Sequence, residues 1–375
     1  MKMPLLFSTS LGLCCLAANA QTLRFHPGRL AVLRAGDGVV TLQSKQSPVF
    51  LDEFDPARFT DSPSVTVPIP TNGPDTLFFN GHAATEGNLS RSANRTLLSF
   101  AGYGGVNLLQ SNGTPSLLDI GRGFCAIDAA GTIHTTIFKS HGFGPEKMNP
   151  RGVVSDGTNN SWGCGNAYST FYYTPSMSGE PTTFKAVANT RALRIINNVL
   201  YTSLNGPDGI FSGTPAGIYG FQDEDKKPLP LPISASSSLA IVVPAESPYT
   251  KNAAFDIKTD GTVAYMTDLT AGVQKYVKTN GAWKFAYNFV IPQVIPEADN
   301  HATGCFGLVV DFTGPAPIIY ATTTEGYGGC VNSNRVVRIV DTNASATVTT
   351  VAQAKSAQIA FRGIDFTPEL QPGKP

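Results

Sequence analysis

The residues best suited to chemistry lie in a glycine-rich stretch near the middle of the chain. HGFGPEKMNPRG at 141–152 runs into GTNNSWGCGNAYSTFYY at 157–173. Aromatic rings with polar tips offer large apolar surfaces and a few hydrogen-bonding groups, as pockets for apolar ligands do. The alternative is that the FYY run forms a strand that packs in the core. The stretch predicts His141 and Arg151 as catalytic candidates and, as residues that line a substrate pocket, Trp162, Tyr168, Phe171 and Tyr173.

Two later loops carry polar groups of the same kind. DNHATGCFG at 299–307 contains His301, and TEGYGGCVNSN at 324–334 contains Glu325 and Tyr327. Glu325 and Tyr327 are candidate acid–base residues, and His301 is a candidate substrate contact. The alternative is that the two loops serve stability alone.

A third group of polar residues precedes an apolar strand-like run. It contains His82, Glu86 and Arg91, of which Glu86 and Arg91 could simply form an ion pair. Arg122 lies between two glycines, and Arg362 lies in the last strand-like run. A buried arginine often ties neighbouring elements together through several hydrogen bonds, so Arg362 is interpreted as structural.

No local motif assigns a metal, a cofactor or a standard nucleophile. G-x-S-x-G, H-E-x-x-H, P-loop and EF-hand patterns do not occur, the histidines show no i, i+4 spacing, and no C-x-x-C is present. We therefore predict neither a metal site nor a cofactor. The 27 acidic and 27 basic residues are scattered through the chain, and such a balance does not favour binding to nucleic acid.

The N-terminal residues are typical of a secretory signal peptide. Lys2 precedes a largely apolar run at 5–16, and Ala18-Asn19-Ala20 provides a small-x-small cleavage site. We predict a signal peptide over residues 1–20, one domain over residues 21–375, and a secreted protein. No later run reaches the roughly 20 apolar residues of a spanning helix, so no membrane span is predicted.

Cysteines and glycosylation sequons agree with export. Three pairings are open to the four cysteines beyond the signal peptide. Nearness in sequence favours Cys125–Cys164 and Cys305–Cys330, and a zinc site is the alternative. The N-x-S/T sequons, which predict glycosylation in a eukaryotic host, begin at Asn88, Asn94, Asn112, Asn159 and Asn343.

Short strands account for most of the remaining sequence. Runs rich in β-branched and aromatic residues alternate with Gly, Asn, Asp and Pro, and no window shows a sustained helical period. LYTS at 200–203, AYMTD at 264–268 and IYATT at 319–323 form a weak repeat, with their tyrosines 64 and 55 positions apart. Such spacing predicts a β-propeller, and a large β-sandwich is the alternative. The length favours seven blades, with six as the alternative.

The last strand-like run lies close to the C-terminus. QIAFRGIDF at 358–366 is followed by only nine residues, and GRLAVLRAG at 28–36 begins soon after the predicted cleavage site. We predict that these two runs pair in one blade and close the ring, because pairing removes two exposed sheet edges.

Four segments carry a resemblance to a known family. VFLDEF (49–54), TEGNLSRS (85–92), LLSFAGYGG (97–105) and AFRGIDFTP (360–368) resemble secreted propeller proteins of bacteria and fungi. Within that group, the chain looks like the fungal hetero-Diels–Alderases of tropolone–sesquiterpenoid biosynthesis. The resemblance covers nearly the whole chain beyond the signal peptide and transfers no catalytic residue.

The resemblance implies a cycloaddition enzyme without a cofactor. It would join a tropolone o-quinone methide to a humulene-type sesquiterpene, two small apolar substrates that must be oriented and shielded from water. The alternatives are a propeller lyase or hydrolase that acts on extracellular polysaccharide, and a secreted binding or adhesion module without catalysis.

Overall fold

The protein is described by a computed structural model over residues 24–42, 46–104, 121–138, 149–158, 160–165, 170–175, 182–186, 189–206, 214–234, 237–247, 250–292, 294, 304–325 and 333–370. Every regular element in these ranges is a β-strand, arranged in small antiparallel sheets, which confirms the predicted all-β class. None of the described residues belongs to a helix that could cross a membrane. The predicted signal peptide lies outside the described residues.

The first sheet joins the two ends of the chain. Its strand order is β25-β1-β2-β3, and its strands are β1 (Leu30–Ala35), β2 (Gln46–Phe54), β3 (Val65–Pro68) and β25 (Ala360–Phe366). β1 pairs with β25 in a register that sets Leu30 opposite Phe366 and Ala35 opposite Ala360. The predicted pairing of the first and last strands is confirmed.

The second sheet is continuous with the first. Its order is β5-β6-β7-β8, and β4 pairs with both β2 and β6, so that the two sheets together form one nine-stranded sheet. The strands are β4 (Leu77–Asn80), β5 (Ser90–Arg91), β6 (Leu97–Gly104), β7 (Gly121–Asp128) and β8 (Ile133–Phe138).

Four further sheets follow along the chain, each with four antiparallel strands. The third sheet has the order β12-β11-β10-β9, and the other three run in chain order. The strands of the third and fourth sheets are β9 (Pro150–Ser155), β10 (Asn160–Gly165), β11 (Thr170–Pro175), β12 (Thr182–Ala186), β13 (Thr190–Ile196), β14 (Val199–Leu204), β15 (Gly217–Gln222) and β16 (Ser238–Pro244). Those of the fifth and sixth are β17 (Asn252–Ile257), β18 (Val263–Asp268), β19 (Gly272–Thr279), β20 (Ala282–Phe289), β21 (Cys305–Asp311), β22 (Ile318–Thr323), β23 (Arg335–Val340) and β24 (Val348–Gln353).

In the sheets whose fourth strand has described side chains, that strand is more exposed than the strand at the opposite edge. We call β25, β5, β9, β13, β17 and β21 the inner strands; β9 and β17 are buried on both faces along their whole length. On the fourth strands β16 and β20, most side chains are exposed or partly buried, and one residue of each strand is fully buried. A strand that is buried on both faces must be covered by other sheets on both sides.

The inner strands of neighbouring sheets cover one another. β6 and β5 pack against β9, β9 packs against β13, β13 against β17, and β17 against β21. β21 then packs against β25, and β25 packs against β5.

The sequence repeat corresponds to equivalent strands. Tyr201, Tyr265 and Tyr320 lie on β14, β18 and β22, the second strands of three successive sheets. Each of these strands pairs with the run that follows it in the sequence, namely β15, β19 and β23. The repeat therefore reflects one structural unit that recurs.

A buried hydroxyl two residues after each of these tyrosines links neighbouring sheets. Each accepts an N–H from the inner strand of its own sheet at 2.8–3.1 Å. Each also donates to a carbonyl oxygen of the next inner strand at 2.6–2.9 Å. The three residues, which we call the bridging hydroxyls, are Ser203, Thr267 and Thr322.

Candidate active site

In each sheet, the inner strand runs antiparallel to the second strand beside it. The inner strand therefore begins at the end of the sheet where the second strand finishes. We call this the upper end and the opposite end the lower end. Arg151, the second residue of β9, and Glu325, which follows β22, both lie at the upper end of their sheets.

Glu86 is positioned by a close approach of two backbone segments at the upper end. The N–H of Gly363, on β25, donates to the carbonyl oxygen of Gly87 at 2.8 Å. A Cβ atom at position 363 would lie 2.2 Å from the Leu89 nitrogen, and Gly87 has a φ of +83°. Both positions require glycine, so the FRG run holds the segment of Glu86 against β25.

The carboxyl group of Glu86 is buried and hydrogen-bonded. The Tyr103 hydroxyl donates to its Oε1 at 2.6 Å, and the Asn80 N–H donates to its Oε2 at 3.2 Å. Burial raises the pKa of Glu86 from 4.5 to about 7, and these bonds and the nearby Arg362 and Arg151 offset only part of that rise. Both protonation states are therefore populated at neutral pH, which general acid–base catalysis requires.

Tyr103 extends the site beyond the carboxyl group. Its hydroxyl also lies 3.1 Å from Asn149 Oδ1, and the Arg122 guanidinium carbon lies 5.1 Å from its ring centroid. Burial and the Glu86 carboxylate raise the pKa of Tyr103 well above its usual range. Tyr103 therefore remains a hydrogen-bond donor at neutral pH.

Two arginines are held beside Glu86 by hydrogen bonds of their own. Arg151 Nη1 donates to Asn189 Oδ1 at 2.7 Å and to the Thr190 carbonyl oxygen at 3.1 Å. Arg362 Nη2 donates to the Gly81 carbonyl oxygen at 3.1 Å. Fixed guanidinium groups stabilise a negative charge that forms close to them. We call the set Glu86, Tyr103, Asn149, Arg151 and Arg362 the Glu86 cluster.

The catalytic candidates from the sequence separate in the structure. Arg151 belongs to the Glu86 cluster, whereas Glu325 forms a buried ion pair with Arg335, whose Nε donates to Glu325 Oε1 at 2.7 Å. The Thr323 hydroxyl donates to the other carboxylate oxygen at 2.5 Å. Such a fully bonded carboxylate ties strands together. His141 and Tyr327 lie outside the described residues.

Trp162, the residue of the predicted aromatic pocket whose side chain the structure describes, lies away from the Glu86 cluster. Trp162 is buried between β9, β13 and β14 and lines a cavity of about 530 Å³ near the lower end, beside Asn198 and Pro232. Phe171 and Tyr173 lie on the strand β11, in agreement with the strand part of the alternative for the FYY run. Packing of this run in the core stays a prediction. Tyr168 and His301 lie outside the described residues.

The link between Glu86 and Tyr103 was missed in the sequence. The sequence suggests an ion pair between Glu86 and Arg91. In the structure Arg91 instead lies near Asp365, with Arg91 Nε 4.0 Å from Asp365 Oδ1. Tyr103 stands between glycines in the AGYGG run. The position of this tyrosine between glycines, 17 residues after Glu86, is the feature of the sequence that could have indicated the contact.

The predicted disulfides are wrong for the described cysteines. Cys125, Cys164 and Cys305 are free, buried thiols. Cys125 lies on β7 and Cys164 on β10, in different sheets, so nearness in sequence did not bring them together. Burial raises the pKa of both thiols to about 12, which keeps them protonated. Cys330, the predicted partner of Cys305, lies outside the described residues.

The sequons differ in accessibility. Asn88 is 2% exposed and its Nδ2 donates to the Arg191 carbonyl oxygen, so this fold has no space for a glycan there and that prediction is wrong. Asn94 and Asn343 are exposed, although Asn94 Nδ2 donates to the Gly157 carbonyl oxygen at 2.9 Å. Glycosylation at these two residues stays a prediction. Asn112 and Asn159 lie outside the described residues.

Comparisons with known proteins give no functional assignment. No family model and no curated protein matches the chain. Among solved structures, the chain is similar to a Bacteroides uniformis protein provisionally assigned as a 6-phosphogluconolactonase, with 11% identity, a TM-score of 0.43, and coverage of 88% of this chain and 83% of that one. It is also similar to Kuenenia stuttgartiensis hydrazine synthase, with 11% identity, a TM-score of 0.38, and coverage of 71% and 65%. With TM-scores below 0.5, neither likeness supports an inference about function.

Proposed function

We propose that the sheets form a closed six-bladed β-propeller, the alternative to the seven blades favoured by length. The succession of packed inner strands supports this, since it runs from β25 through β5, β9, β13, β17 and β21 back to β25. The pairing of β1 with β25 would complete one blade from both chain ends and protect two sheet edges. The Glu86 cluster would then lie at the upper mouth of the central channel.

We infer that the chain is an enzyme and that the Glu86 cluster is its acid–base centre. The observation that carries this inference is a buried carboxyl group with a pKa of about 7 that accepts a tyrosine hydroxyl. Strongly perturbed carboxyl groups of this kind are concentrated at catalytic sites. Together with the family resemblance, the cluster fits an intermolecular hetero-Diels–Alder reaction that begins with a dehydration.

The proposed reaction has two steps. Protonated Glu86 gives its proton to the hydroxyl of a hydroxymethyl tropolone, the carbon–oxygen bond breaks, and water leaves. The adjacent ring hydroxyl returns a proton to the Glu86 carboxylate, so the net change is loss of one water to give the o-quinone methide. A humulene-type alkene then adds across the oxygen–carbon diene and forms one C–O and one C–C bond. Neither step requires an oxidant or a reductant.

The residues around Glu86 have defined parts in this scheme. Arg151 and Arg362 would stabilise the negative charge on the tropolone oxygen as its proton leaves. Tyr103 would hold Glu86 in one orientation through the 2.6 Å hydrogen bond. General acid–base catalysis contributes about 10²–10⁴ in rate, and orientation of two partners can supply about 7–11 kcal/mol of the barrier.

The test supplies purified protein with a hydroxymethyl tropolone and humulene and follows the adduct by chiral chromatography. We expect the wild type to accelerate formation of one stereoisomer, and Glu86→Gln to lose about 10²-fold or more of that rate. Glu224→Gln, a change to an exposed loop residue, is the matched control and should retain the wild-type rate. A rate and stereochemistry equal to the buffer control would refute the activity. Wild-type activity in Glu86→Gln would refute the role of the cluster.

We also propose that the protein is secreted. The N-terminal composition supports export, and burial of Cys125, Cys164 and Cys305 would keep three thiols away from oxidants outside the cell. Expression in a fungal host followed by N-terminal sequencing of the medium fraction should give Gln21 as the first residue. Retention in the cell with an intact N-terminus would contradict the proposal.

A further inference from the structure

A cavity of about 710 Å³ opens at the lower end of the sheets, opposite the Glu86 cluster. Its walls come from residues where the inner strands β5, β13, β17, β21 and β25 finish. A volume of this size is sufficient for a drug-sized molecule. The proposed acid–base chemistry uses no residue of this cavity.

One ion pair forms the floor of the cavity. Arg194, on β13, donates from Nη1 to Asp365 Oδ2 on β25 at 2.9 Å and from Nη2 to the Leu308 carbonyl oxygen on β21 at 2.6 Å. Arg194 therefore connects three inner strands. Because Asp365 neutralises the charge of Arg194, we assign Arg194 the role of holding the floor of the cavity together.

The rim holds two arginines that share one carboxylate. Glu369 lies on the tail that follows β25, and its Oε1 is 3.7 Å from Arg91 Nη1 and 3.5 Å from Arg95 Nη1. These separations exceed those of charge-assisted hydrogen bonds, and the Glu369 side chain is 49% exposed. The Glu369 backbone N–H donates to the Arg95 carbonyl oxygen at 2.9 Å, which keeps the tail in place. The two arginines thus hold Glu369 loosely, and Arg91 also lies beside Asp365, with Nε 4.0 Å from Oδ1.

Two other acidic groups of the cavity, Asp256 and Asp311, accept backbone N–H groups. Asp256 accepts the N–H groups of Ile257 and Val310, each at 3.0 Å. Asp311 Oδ1 accepts both the N–H and the hydroxyl of Thr313, at 2.9 and 2.6 Å. An incoming carboxylate would reach Arg91 and Arg95 by displacing Glu369, whose half-exposed side chain can turn toward solvent.

The remaining wall has polar and apolar parts, and its polar part includes Asn197 and Thr259. Val309, Phe312 and Phe366 line the apolar part, and the Arg91 guanidinium carbon lies 5.6 Å from the centroid of the Phe366 ring. A ligand whose carboxylate meets Arg91 and Arg95 can pack an apolar ring against Phe312 and Phe366.

We propose that the lower cavity is a second binding site for small apolar carboxylic acids, in which the ligand carboxylate displaces Glu369 from Arg91 and Arg95. This site is independent of the Glu86 cluster and of the proposed reaction.

The test measures binding of 2-naphthoate by isothermal titration calorimetry, with 2-naphthamide as the uncharged probe of the same shape. We expect the acid to bind about tenfold more tightly than the amide, because charge-assisted hydrogen bonds to arginine are lost with the charge. Glu369→Gln, which removes the competitor, should tighten naphthoate binding about threefold to tenfold.

Arg95→Asn should weaken naphthoate binding about threefold to tenfold. Arg95 has a φ of 66°, which Asn adopts readily, so this change removes the cation without disturbing the turn. Arg58→Gln, an arginine with an 84% exposed side chain away from the cavity, is the matched control. Equal affinities for acid and amide, or an affinity unchanged in both Glu369→Gln and Arg95→Asn, would overturn the proposal.

Discussion

Replacement of Glu86 by glutamine should change how stability depends on pH. The folded state raises the pKa of Glu86 from 4.5 to about 7, so the native protein binds its proton more tightly than the unfolded chain does. For an acid with a raised pKa, the folded state is favoured at low pH, and stability is lost as pH rises from about 4.5 to about 7. The rise corresponds to roughly 3 kcal/mol. Glutamine has no charged form, so Glu86→Gln should lack this loss.

The measurement is urea unfolding followed by tryptophan fluorescence at pH 5 and pH 8. The difference in unfolding free energy between Glu86→Gln and the wild type should shift by roughly 2–3 kcal/mol in favour of the variant between these two values. Every other titrating group contributes equally to both proteins and cancels. Glu224→Gln should follow the wild type at both pH values. A shift below about 0.5 kcal/mol would refute the assignment of a buried carboxyl with a raised pKa.

Three further outcomes are expected. Thr267→Val deletes a bridging hydroxyl and leaves a buried N–H unpaired, so it should lower the unfolding free energy by about 2–3 kcal/mol. Thr279→Val, a change at an exposed threonine, should change the unfolding free energy little in the same urea titration. The buried Asp341 carboxylate accepts hydrogen bonds from two tyrosine hydroxyls and pairs with a lysine. Asp341→Asn should lower the thermal midpoint of unfolding, with a loss of about 2–3 kcal/mol in unfolding free energy. An unchanged midpoint would contradict this role of Asp341. Cys125 and Cys164 should resist a thiol reagent in the native protein and react on denaturation without reductant; failure to react when unfolded would indicate a disulfide.

Two predictions from the sequence are wrong because residues that are close along the chain are far apart in the fold. The disulfide prediction took nearness along the chain for nearness in space, yet Cys125 and Cys164 lie in different sheets. The suggested pair of Glu86 and Arg91 failed for the same reason. Glu86 lies at the upper end, where β25 begins, and Arg91 lies at the lower end. A strand rises about 3.3 Å per residue, so a few residues suffice to separate two groups along a sheet.

The sequence by itself determined the features that local interactions control. Short β-branched runs and frequent turn residues set the all-β class, and the repeat around Tyr201, Tyr265 and Tyr320 marked equivalent strands because each repeat makes the same local pairings. The late position of the last strand also indicated that it pairs with the first.

Only the tertiary structure decided which side chains meet. Glu86 owes its raised pKa to burial, which the hydrogen bond from Tyr103 only partly offsets. The position of Glu86 depends on the backbone contact between Gly87 and Gly363, which are distant in the sequence. The two arginines of the lower cavity likewise meet Glu369 only after β25 has joined the first sheet. Burial and electrostatic fields are properties of the packed molecule, so no local pattern contains them.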